Sequence, residues 1–66
     1  MIPIKYFMCE NTPNDKDICE AMDLVEKEDC VVVIKWIVFK STYLMTIRKG
    51  MTFDECRIQI PTVYGI

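Results

Sequence analysis

The sequence has no histidine, only two glycines and one tryptophan. Without histidine, the usual general base at neutral pH is missing, and a cysteine nucleophile has no imidazole to take its proton. With so little glycine there is no phosphate-cradling loop. No two cysteines are spaced Cys-x-x-Cys. Cys9, Cys19, Cys30 and Cys56 are scattered, so a zinc site would have to gather four separated thiolates. No apolar stretch approaches the roughly 20 residues of a membrane span. The basic surplus typical of a nucleic-acid-binding domain is missing too: the net charge is −2 and the pI about 4.9. The opening MIPIKYF lacks the basic stretch and apolar run of a secretory leader. These absences lead to an expectation of no enzyme activity, no metal and no cofactor. They also suggest a cytoplasmic chain with reduced, buried thiols, forming one small domain over residues 1–66.

What is present is a long apolar run, Cys30–Phe39, reading CVVVIKWIVF and broken once, by Lys35. Its β-branched and aromatic content predicts a strand. Strand side chains alternate faces. One face carries Cys30, Val32, Ile34, Trp36 and Val38; the other carries Val31, Val33, Lys35, Ile37 and Phe39. Both are largely apolar, as in a central strand, and the uncharged set is assigned to the core.

On either side, the chain supplies partners for this strand. Ile2–Cys9 alternates and predicts a strand with Pro3 near its start. Its set Ile2, Ile4, Tyr6 and Met8 is assigned to the core, and Lys5, Phe7 and Cys9 to the outside. Thr12-Pro13 reads as a helix start, with Asn14 as the rival cap. The helix runs to about Glu28, with Ile18, Ala21, Met22 and Val25 as its apolar stripe and Cys19 and Leu24 on the flanks. Lys40-Ser41-Thr42 reads as a short hairpin connection into a strand over Tyr43–Lys49. Thr52-Phe53-Asp54-Glu55 fits a capping box, which would open a helix. The alternation of Cys56, Ile58 and Ile60 favours a strand there. The expected fold is therefore α+β: a small antiparallel or mixed sheet of three to four strands with one long helix packed on one face. The order is β-α-β-β-β or β-α-β-β-α.

One helix cannot cover both sides of a sheet. The apolar share, 52%, also exceeds the usual 45–50% in a chain too small to bury much of it. Surplus of this kind on a surface marks an interface. The expected interface is Phe7, Val33, Lys35, Ile37, Phe39, Leu44 and Arg48 on the outer sheet face. It would be covered by a second copy in a homodimer, by another protein, or in part by the tail Thr62–Ile66 or a short helix at Thr52. The same mixture of aromatic and basic groups, with Lys5 and Arg57 added, supports an alternative: a small nucleic-acid-binding regulator that stacks bases on the sheet.

Charge is unevenly distributed. Residues 10–29 hold eight acids against two lysines, while the remainder holds six basic residues against two acids. The acidic helix surface, with Asp15, Asp17, Glu20, Asp23 and Glu26, resembles in kind the small acidic inhibitors carried by phages and mobile elements. Such inhibitors imitate nucleic-acid phosphates in a host protein's basic groove. The leading expectation is thus a non-enzymatic protein–protein interaction module with an unnamed protein partner, of this inhibitor type.

Overall fold

The computed structural model describes residues 1–61. The elements are β1 (Ile4–Cys9), α1 (Asp15–Glu28), β2 (Val31–Val38), β3 (Ser41–Ile47) and α2 (Phe53–Arg57). The fold is α+β in the order β-α-β-β-α. A three-stranded mixed sheet has the order β1-β2-β3, with β1 parallel and β3 antiparallel to the central β2. No helix among the described residues is long and apolar enough to cross a membrane.

The long helix forms where the apolar stripe and a strong cap coincide. Asn14 is the cap, not Thr12. Its side chain accepts the Asp17 N–H at 2.9 Å, and the Asp17 carboxylate accepts the Asn14 N–H at 3.0 Å. This reciprocal pair satisfies two of the orphan donors at a helix start. At the other end Asp29 turns into the left-handed region (φ 50°), which a short polar residue tolerates. The buried helix residues are Ile18, Ala21 and Val25. They meet Val32, Ile34 and Trp36 of β2, Met45 and Ile47 of β3, and Cys30 and Cys56 in one core.

Trp36 is fully buried. Its ring stacks on Tyr43, its cross-strand partner, at 5.7 Å between centroids and 19° between planes. Its indole N–H has no acceptor among the described residues, a loss of about 1–3 kcal/mol. Burial of the large ring outweighs that loss.

Four local expectations are corrected. Residues 52–60 do not form a strand. The capping box prevails: Thr52 Oγ1 accepts the Glu55 N–H at 3.1 Å and Glu55 returns the bond to Thr52 N–H at 2.8 Å. The resulting turn of helix drives Cys56 into the core and leaves Ile58 83% exposed. The hairpin loop is Phe39-Lys40, not Lys40-Ser41-Thr42, because Val38 pairs directly with Ser41. Both loop residues have positive φ, 50° and 67°, the signature of a type I′ turn.

The other two corrections concern β1. In a parallel ladder, paired residues share a face. Lys5, Phe7 and Cys9 pair with Val32, Ile34 and Trp36 and so lie on the helix side. Ile4, Tyr6 and Met8 pair with Val31, Val33 and Lys35 and lie on the outer face, the reverse of the sequence reading. Ile2 precedes the strand and is exposed. Alternation could not choose the face, because both parities of β1 are apolar apart from Lys5. The choice follows Lys5, whose ammonium pairs with Glu28 at the end of α1. The tail Thr62–Ile66, one of the alternatives for covering part of the outer face, lies outside the described residues.

Two stability predictions follow from this packing. Trp36→Ala should cost about 3–5 kcal/mol, whereas Trp36→Phe should cost far less, because it keeps most of the buried ring and gives up only an N–H without an acceptor among the described residues. Equal losses for the two variants in urea melts would contradict this packing. Separately, Phe39→Asn with Lys40→Gly should raise stability by about 1 kcal/mol, since each of the two residues in the left-handed region costs about 1 kcal/mol and the added glycine gives back about 0.5–1 kcal/mol in backbone entropy. A lower urea midpoint would show that Phe39 holds the turn through contacts.

Candidate interaction surfaces

The described residues cover one side of the sheet and leave the other bare. Both helices lie on the same side, α1 against β2 and β3, and α2 against β3 and α1. The opposite face runs across three strands in register. Tyr6, Val33 and Thr46 form one row, Met8, Lys35 and Leu44 the next, and Ile37 and Thr42 the last. Tyr6 is 74% exposed, Met8 66% and Leu44 61%. Lys35 is the one charge within these rows. It stands between Met8 and Leu44, so its aliphatic stem lies among apolar neighbours while the ammonium reaches water.

Of the expected interface residues, Val33, Lys35, Ile37 and Leu44 are brought together on this face. Phe39 is exposed in the hairpin loop at one end. Arg48 is exposed just past β3 at the other end. Phe7 is not part of the face; it points to the helix side. Ile4, Tyr6 and Met8 take its place, and sequence reasoning missed them. The signal that could have found them is Lys5, the one charge in β1, which needs an acid, and the acids are on the helix.

The strand β1 is open in a second way. The backbone of α1 does not approach it closely, and apart from the Lys5–Glu28 pair the two elements bound a groove of about 350 Å³ lined by Phe7, Met8, Cys9, Asp17, Glu20, Ala21, Leu24 and Ile34. The two sheet edges also differ. At the β3 edge Gln59 imitates a strand: its side-chain oxygen accepts the Thr46 N–H at 3.0 Å and its Nε2 donates to the Thr46 carbonyl at 2.7 Å. No described residue does the same for β1.

The acidic helix surface is partly neutralised by the chain itself. Asp15 meets Arg57 at 3.6 Å, Glu28 meets Lys5, and Asp29 meets Lys49 at 3.1 Å. Asp17 is spent as a cap. Glu20, Asp23 and Glu26 form no ion pair among the described residues and are exposed. No cluster of metal-ligating side chains occurs among the described residues. The four cysteines are free thiols: Cys19 exposed, Cys9 half-buried, Cys30 and Cys56 buried. No protein family, curated protein or solved structure matches the chain.

Electrostatics set a pH dependence. The hydrogen bond to Glu28 raises the Lys5 pKa, and that to Asp29 raises the Lys49 pKa. Burial pushes the Cys9 and Cys56 thiols up. All four groups hold their protons more firmly folded than unfolded, so this stability is fully present below the unfolded values and is lost as pH rises through the folded ones. Melting temperature should therefore be level near neutrality. It should fall as pH climbs past about 8.5, where unfolded thiols ionise, and on through the lysine range near 10.4. A melting temperature that held constant to pH 11 would contradict these assignments.

Proposed function

We propose that this chain is a non-enzymatic protein-interaction module that presents the bare face of its sheet to a protein partner. The observation that supports this reading is the row pattern itself: Tyr6, Met8, Ile37 and Leu44 exposed around a single cation, with both helices on the other side. Single exposed apolar residues are ordinary, whereas a contiguous set spanning three strands marks a contact site. An apolar centre carrying one lysine suits a partner surface that is apolar with an isolated acid.

Within this class we read the chain as a small inhibitor that acts by occupying another protein's surface. The acidic ridge is the weaker contact for that role, because three of the helix-end acids are already paired within the chain. A base-stacking platform is less well supported. It needed Phe7, Lys5 and Arg57 beside Lys35, but Phe7 and Lys5 lie across the sheet and Arg57 is engaged by Asp15.

Site-specific photo-cross-linking compares the surfaces directly. A photoreactive residue in place of Leu44 should capture a protein in cells expressing the chain, and Ile37→Glu should abolish that adduct. The same group in place of Glu20 should give little. Adducts to nucleic acid, or to protein from the Glu20 position alone, would reject the outer-face reading.

A further inference from the structure

We propose that two copies of this chain join edge to edge through β1, antiparallel about a two-fold axis at Tyr6, into one six-stranded sheet. This does not rest on the outer-face reading, because edge pairing leaves that face uncovered.

The argument starts from where the backbone groups of β1 point. Val31 N–H donates to the Pro3 carbonyl at 2.9 Å, and the parallel register from Ile4↔Val31 continues to Cys9↔Trp36. Alternation then turns the N–H and C=O of Lys5, Phe7 and Cys9 toward β2, and those of Ile4, Tyr6 and Met8 outward. No described residue takes these outward groups. Strand edges left in this state template pairing with another chain, and proteins that avoid it use charges, prolines, bulges or a covering segment. Here Gln59 covers part of the β3 edge, whereas β1 carries only Pro3 at its start and Lys5, whose charge is taken up by Glu28 of its own chain, and no described segment covers its edge.

The occupant follows from self-complementarity. With the two-fold at Tyr6, Tyr6 faces Tyr6 of the second copy, and Ile4 and Met8 face each other on both sides. The outward groups of all three residues then find partners at once. Shifting the register by one residue on either side would leave outward groups unpaired. The side chains agree with the backbone. On the outer face the facing pairs are aromatic or aliphatic, as favourable cross-strand pairs require. On the helix side Lys5 of the second copy lies opposite Phe7, at the groove flanked by Asp17 and Glu20. Lys5 is already paired with Glu28 of its own chain, so no like charges oppose across the join. Helix α1 lies over one face of the sheet and meets β1 through Lys5–Glu28, and no described residue lies along the outer edge of β1. The isologous contact closes on itself as a dimer.

The test is sedimentation velocity from about 1 to 100 µM, with amide hydrogen exchange by NMR. The parent chain should be dimeric in this range, with the Ile4, Tyr6 and Met8 amides protected in the dimer and exposed on dilution. Tyr6→Lys should weaken the dimer roughly tenfold or more, by setting two cations opposite each other. Tyr6 is 74% exposed, so the variant should keep its fold, as far-ultraviolet dichroism would verify. Should it not fold, a synthetic chain N-methylated at Tyr6 removes the outward donor alone and should also be monomeric. Ile37→Glu should leave the dimer intact. A monomeric parent chain across this range overturns the inference, as does a dimer that survives Tyr6→Lys or one dissolved by Ile37→Glu. None of these results bears on adducts formed from the Leu44 position, so the two readings fail separately.

Discussion

The width of a helix set against the width of a sheet governs this molecule. A packed helix is about 10–12 Å across, and strands are spaced at about 4.8 Å. One long helix therefore covers about two strands. α1 takes β2 and β3, where Ile18, Ala21 and Val25 meet Val32, Ile34, Met45 and Ile47. α2 is a single turn or so, and it packs on β3 and α1 rather than over β1. The third strand is left with little cover on its helix side, none described on the other, and an open edge. The exposed apolar residues Ile4, Tyr6, Phe7 and Met8 of β1 follow from that shortage. The core closes on one side of β2, and the surplus apolar residues collect on the other side and around β1.

Where several physical demands agree, the sequence could be read. The strand at Val31–Val38 combines β-branched density, clean alternation and a tryptophan that must be buried, and its faces are as expected. The helix combines an apolar stripe with acids in its first turn. Where demands conflict, it was misread. Over residues 52–60 the alternation Cys56, Ile58, Ile60 competed with a capping box, and the local hydrogen bonds of the box prevailed. In β1 no conflict existed because no preference did. Ile4, Tyr6 and Met8 are as apolar as Phe7 and Cys9, so burial could not choose a face. An edge strand that is not covered well on either side has the weakest register signal of any strand. The candidate site inherited that error. Val33, Lys35, Ile37 and Leu44 were legible because β2 and β3 were, whereas Phe7 was misplaced and Tyr6 and Met8 missed because β1 was not.

Charge shows how the chain reconciles an acidic segment with a basic remainder. The ion pairs Lys5–Glu28, Lys49–Asp29 and Arg57–Asp15 each tie α1 to a different neighbour: β1, the loop after β3, and α2. Exposed pairs contribute little energy individually. Their placement matters more here, because Lys5–Glu28 selects the face of β1 that apolar burial left undecided. Once Lys5 is drawn to the helix side, Tyr6 and Met8 must join Lys35 on the outer face.

The hairpin adds a final constraint. Phe39 and Lys40 occupy left-handed conformations that Asn-Gly would adopt without strain, and Phe39 is 73% exposed there. Neither burial nor turn chemistry accounts for an aromatic residue at that position. Contact with another surface would account for it, because a tight two-residue turn fixes the ring at the end of the same sheet that carries Ile37 and Leu44. The ring also extends the bare face to the end of the hairpin. Edge pairing through β1 would place a second such face beside the first, each ending in its own Phe39. A partner meeting the dimer would then find one continuous apolar surface about twice as wide as either copy offers alone, with two lysines set symmetrically within it.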